Sequence, residues 1–173
     1  MNKIQKYSIG AALALFYYLA YSGNLSHIIA YHEQHHLFLF TEAYFEQQVQ
    51  SEGFFSYLTD FIIQFFYYPA LGSALLALLL ASVYLMASNI IRFLFGKEDL
   101  LHLSVIPSLA LFYHTMEASH TLIPITISVL TLAIIHLVLW IFRSHMPLIP
   151  LFKNVHIQKK GIRTGITAVV LLF

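Results

Sequence analysis

From Pro69 to Ile91, and again from Leu122 to Phe142, the chain carries no Asp, Glu, Lys or Arg. Each run is long enough for a helix that crosses a hydrocarbon core, which takes roughly 20 residues. A backbone surrounded by lipid must satisfy its own hydrogen bonds, so runs of this kind fold as helices. Composition agrees: hydrophobic residues make up 59% of the 173 positions and charged residues 10%. Soluble domains carry about 25% charged residues to clothe their cores. The chain reads as an all-α, polytopic transmembrane protein whose solvent is lipid.

Three further apolar segments extend this reading. The first spans about 7–29 and ends in Ser22, Gly23, Asn24, Ser26 and His27. It comes after Lys3 and Lys6 with no small-residue cleavage site at its exit, so it reads as an uncleaved helix. Another spans about 100–116 and contains Pro107, where a kink is expected. The last, 161–173, is too short to cross. The expected architecture is thus four complete spans (7–29, 69–91, 100–116 and 122–142) plus a partial fifth. All form a single transmembrane domain over 1–173, which reads as a fragment of a longer protein.

The basic residues orient these spans. All nine fall before Tyr7 or after Ile91, at Lys3, Lys6, Arg92, Lys97, Arg143, Lys153, Lys159, Lys160 and Arg163. With these spans, every one lies on the same side, and the positive-inside bias puts the N-terminus in the cytoplasm. The segment 30–68 then faces outward. It is too aromatic for an ordinary solvated loop. Two short interfacial helices are expected in it, over 37–50 and 54–68. Scattered cations and a net charge of +1 exclude nucleic acid as a partner. Absent cysteine excludes disulfides and thiolate chemistry. Membrane lipids are the expected partners; oligomeric state has no signature.

Three constellations carry candidate chemistry. His32-Glu33-Gln34-His35-His36 matches H-E-x-x-H, in which two histidines on one helical face bind zinc and the glutamate activates water. A catalytic zinc needs a third ligand, for which His114, Glu117 and His120 are available. His114 shares a helical face with Glu117, and Glu117 with His120. The alternative for these histidines is a hydrogen-bonding cluster at headgroup level. No cofactor is expected outside this zinc reading. Asp60 and Gln64 form the second constellation, since an acid near membrane depth is costly and marks function. Glu33 and Asp60 are the candidate catalytic acids, with Gln34, Gln64 and Tyr67 as candidate substrate contacts. The third is His136, in the middle of the fourth span, expected to face another helix.

Two resemblances add to this. Tyr31-His32-Glu33-Gln34 with Leu37-Phe38, Thr41, Tyr44-Phe45, and Gln64-Phe65-Phe66-Tyr67-Tyr68-Pro69 with Gly72 resemble the N-terminal membrane part of a family of uncharacterised bacterial integral membrane proteins, a domain of unknown function. That resemblance implies the bacterial inner membrane and a longer full-length chain; it carries no activity. The layout is also similar to the start of lipid-linked sugar transferases of the GT-C architecture. This second resemblance implies an essential acid in the first outward loop, where Glu33 stands and Asp60 offers a second, and a lipid-linked substrate. The chain departs from it in having no paired acids at the exit of the first span and no outward Lys or Arg for the donor phosphate.

Overall fold

The computed structural model describes residues 3–36, 38–95 and 103–145. Among these residues seven α-helices run in order: α1 (Lys3–Ser22), α2 (Ser26–His35), α3 (Glu42–Ser51), α4 (Phe54–Ile63), α5 (Pro69–Phe95), α6 (Val105–His114) and α7 (Ile123–His145), with a 3-10 turn over Gln64–Tyr67. The all-α class holds. The four complete spans and partial fifth do not. Among the described residues only Pro69–Phe93 and Ile123–Ile141 are long and apolar enough to cross a membrane.

Each lost span has a local cause. The segment 7–29 is broken at Gly23–Leu25, where Leu25 N–H reaches back to Ala20 O at 2.9 Å and closes α1. The helix before this break carries Lys3, Gln5 and Lys6 in its first turns and several tyrosines near its end, which lower its hydropathy. The residues after the break form a separate helix, α2. The segment 100–116 yields only the ten residues of α6, about 15 Å at helical rise. Pro107 therefore sits in the first turn, where a missing N–H costs nothing, and it kinks no helix. The segment 161–173 lies outside the described residues. In the loop before α5 both expected short helices form, the first starting at Glu42 rather than 37 because Thr41 caps it, its Oγ1 accepting from Tyr44 N–H at 3.2 Å. The second passes into the 3-10 turn at Gln64.

Residue contacts divide the chain into Met1–Leu139 and Trp140–Phe173. Of the second unit, the described part is the end of α7, where Trp140 is exposed. The first unit is organised by α5. Its antiparallel partner α1 packs along it: Gly10 lets Leu85 and Tyr84 approach, and Lys6 Nζ donates to Asn89 Oδ1. Tyr17 and Tyr21, both fully buried, join α1 to α6. Ser108 spends its one proton on Leu80 O at 2.7 Å, so Tyr17 must donate to Ser108 Oγ at 2.8 Å. Thr115 likewise donates to Phe112 O at 2.8 Å, which leaves Tyr21 to donate to Thr115 Oγ1 at 2.5 Å. Each such bond contributes about 1 kcal/mol, and together they fix α1, α5 and α6 in register.

The short helices gather at the Pro69 end of α5. α2 packs on α5, on α1 and on the 3-10 turn, burying Ile28, Ile29 and His32. α3 lies on α4 and buries none of its residues. α4 meets α7 through Thr59 and Thr126, whose hydroxyl oxygens are 2.9 Å apart. His136, expected to face a neighbouring helix, is exposed in this unit.

Candidate functional site

Asp60 is the centre of the polar chemistry in this region. It lies on the buried face of α4 with Ser56 and Thr59, 4% exposed, and three side chains converge on its carboxylate. His36 Nδ1 is 2.9 Å from Oδ1; Gln48 Nε2 donates to Oδ2 at 2.8 Å and the Tyr44 hydroxyl at 3.3 Å. Because the carboxylate only accepts, Nδ1 of His36 carries the hydrogen. In the neutral ring the lone pair then sits on Nε2, on a side chain that is 34% exposed. This is a carboxylate that orients an imidazole and leaves its far nitrogen basic, the logic of an acid–base pair.

The partners are themselves held. Gln48 Nε2 also lies 3.1 Å from Glu52 Oε2 and 3.3 Å from Ser56 Oγ, and Ser56 donates to Glu52 Oε2 at 2.8 Å. Burial, and after it the Asp60 charge, push the Tyr44 hydroxyl up to about 12, so it remains a donor at any physiological pH. A ring wall flanks the network: Phe38 sits 5.1 Å from Tyr57 and 5.5 Å from Phe61 between ring centroids.

His32 lies one helical turn before His36, their ring centroids 5.7 Å apart. It is 2% exposed, and neither ring nitrogen has a hydrogen-bond partner. Burial, then the neighbouring His36 and His35, lower its pKa to about 4, so the ring is neutral. The H-E-x-x-H spacing thus brings two imidazoles onto one face as expected. Among the described residues no three His, Asp or Glu side chains converge as a metal-holding group. His114 and His120 stack on each other at 4.6 Å, and His120 pairs with Glu117 at 3.3 Å, in a group of their own after α6.

Among the described residues, the other expected ones, Glu33, Gln34, Gln64 and Tyr67, are not among the hydrogen-bond partners of the Asp60 network. Glu33 and Gln64 are half-buried, and Gln34 and Tyr67 are exposed. Tyr44 and Gln48 were not singled out by sequence, though a signal existed. Tyr44, Gln48, Glu52, Ser56 and Asp60 recur every four residues, a polar stripe that continues across the break at Gly53.

Searches of curated proteins and of solved structures return no match. A protein-family model described as "Family of unknown function (DUF6057)" matches residues 2–168.

Proposed function

The chain belongs to this family of unknown function, which lends it no activity, and from the site itself we propose a membrane-associated transferase acting on a lipid-linked sugar. The observation that carries this reading is the buried Asp60 carboxylate aligned on His36 Nδ1 at 2.9 Å. In the reaction, His36 Nε2 takes the proton of an acceptor hydroxyl while Asp60 stabilises the resulting imidazolium. The acceptor oxygen bonds to the anomeric carbon, and the bond from that carbon to the phosphate oxygen breaks, its electron pair leaving with polyprenyl phosphate. Glu33, half-buried on α2, is a second acid within the same segment.

The setting is the inner membrane of a bacterium, with the Arg92 end of α5 cytoplasmic and its Pro69 end, which leads back to the Asp60 region, outside. Two features support this. α5 and α7 pass the length and hydropathy required of a span. Lys6 packs at the Asn89 end of α5, near Arg92, whereas α4 and the 3-10 turn lead into the opposite end at Pro69. At helical rise those ends are about 30 Å apart, the thickness of a hydrocarbon core.

The test is a vesicle assay with a radiolabelled sugar on polyprenyl phosphate. Wild-type protein releases or transfers label, and Asp60→Asn and His36→Gln each slow it by about 10²- to 10⁴-fold with unchanged circular dichroism. Equal rates in Asp60→Asn, or none above background in wild type, overturn the transferase. One observation favours a second reading in that event, a non-enzymatic membrane component: the Asp60 network ties α3 and α4 to the chain just after α2 and would serve as a fastening alone.

A further inference from the structure

At the Arg92 end of α5 two cations stand together with no carboxylate between them. α1 and α5 run antiparallel in a fixed register. Gly10 faces Leu85, and four residues back on α1 and on along α5, Lys6 donates from Nζ to Asn89 Oδ1. Arg92 is one turn beyond Asn89 on the same side of α5, close enough to Lys6 for the two charges to repel. The same register sets the backbone of Lys3 opposite Arg92. Among the described residues no carboxylate pairs with Lys6 or Arg92; the described acids lie between positions 33 and 60 and at Glu117.

A buried ammonium calls for an opposite charge. The Asn89 amide oxygen supplies only a dipole, and it occupies one of the three N–H groups of Lys6. Burial, then the Arg92 charge, push the Lys6 pKa below the usual lysine value. The place is nevertheless open rather than sealed: 7% of Lys6 remains exposed, and Arg92 and Tyr7 are both exposed, the Lys6 ammonium 5.6 Å from the Tyr7 ring centroid. An anion reaching both cations relieves their repulsion and supplies the opposite charge. Location selects which anion. In a membrane, a point about 30 Å along α5 from Pro69 lies at the level of the lipid phosphates. Guanidinium and ammonium groups both bind phosphate, Arg through its fork and Lys as a point charge.

Resting on the membrane setting and not on the transferase chemistry, we propose that Lys6 and Arg92 form a phosphate site between α1 and α5, filled by the headgroup of an anionic phospholipid. Arg92 binds the phosphate from the exposed side, and the Lys6 ammonium, anchored by Asn89, meets it at the seam between the helices. A zwitterionic headgroup carries its own cation, whereas phosphatidylglycerol leaves its phosphate uncompensated, so the anionic lipid is the one selected. Tyr17 and Tyr21 clasp α1 to α6 toward its other end, and the lipid fastens the end that they leave.

In the test, the full chain in neutral detergent is titrated with phosphatidylglycerol, phosphatidylcholine or inorganic phosphate, with bound lipid counted by native mass spectrometry and Tm measured alongside. Phosphatidylglycerol binds and raises Tm, and the other two do neither at the same concentration; an equal effect of either overturns the proposal. Arg92→Gln and Lys6→Met each weaken phosphatidylglycerol binding about fivefold, the worth of one basic residue at an anionic surface. Lys6→Met also gives a sign that a purely structural lysine would not. Without anionic lipid it is at least as stable as wild type, because a buried charge is gone, and phosphatidylglycerol no longer raises its Tm. Equal destabilisation with and without the lipid makes Lys6 a tie to Asn89 and overturns the site, as does an equal loss of binding in Lys153→Gln, the mark of diffuse charge. Glu98 and Asp99 follow α5 in the sequence. Glu98→Gln with Asp99→Asn leaves the lipid-free Tm unchanged; a fall that Lys6→Met cancels makes those acids the counter-charge and overturns the proposal. The transferase fails separately: a chain inactive on lipid-linked sugar that still binds phosphatidylglycerol through Arg92 removes the transferase and keeps this site.

Discussion

His32 and His36 show how far a local pattern reaches. Their spacing of four put both rings on one face, and the structure has them there, 5.7 Å apart. What each ring does was decided by partners that no spacing announces. His36 found Asp60, twenty-four residues on, and His32 found nothing. That difference has a measurable acid signature. In the unfolded chain His32 titrates near the usual 6.5; folded, burial holds it at about 4. Between those values the unfolded state binds more protons, so this contribution to stability is complete above about pH 6.5 and is lost as pH falls toward 4. The difference is worth up to about 3 kcal/mol. Thermal stability in nanodiscs is therefore expected to fall steeply over that range in wild type and much less in His32→Phe. A variant with the wild-type profile would contradict the assignment.

Among elements, the apolar runs of α5 and α7 were legible because nothing interrupts them, and the amphipathic α4 because its polar face repeats at four residues. Where the reading failed, hydropathy summed over a window concealed a backbone event. The Gly23–Leu25 turn divides one apolar segment into two helices, and a helix that begins only at Val105 leaves α6 half the length of a span. The boundary between the 3-10 turn and α5 falls at Pro69, as the segment bounds had it, but how closely the two pack was not legible. Gly72 sits so close to Phe66 that an added Cβ would lie 2.9 Å from its ring and 3.1 Å from its Cα. The ring can turn, but the Cα is backbone and moves only with the whole turn. Gly72→Ala is expected to destabilise the protein by about 1–3 kcal/mol, read as a lowered Tm. An unchanged Tm would mean that the turn and α5 are not held at this separation.

For the whole molecule, the sorting of nine basic residues onto one side presumed four spans, of which α5 and α7 alone have the length and hydropathy required, so the sidedness of α5 is the property left to test. The chain has no cysteine, so single cysteines report cleanly on sidedness. Gln50→Cys and Glu98→Cys, which flank α5 in the sequence, are expected to react with an impermeant maleimide from opposite sides of a sealed vesicle. Labelling of both from one side would overturn the orientation. The site residues were less legible than the segments that bear them, because Asp60 draws its three donors from beyond its own helix, and such convergence exists only once the chain has folded back. Of the elements that supply those donors, α3 contributes Tyr44 and Gln48 yet buries no residue of its own. Little besides those polar contacts and the Phe38 aromatic wall restrains it, whereas α1, α5 and α6 are clasped by buried tyrosines. Opening free energy is accordingly graded along the chain, with α3 at the shallow end. The Asp60 carboxylate can be reached by a small local fluctuation while the tyrosine-clasped helices keep their global protection.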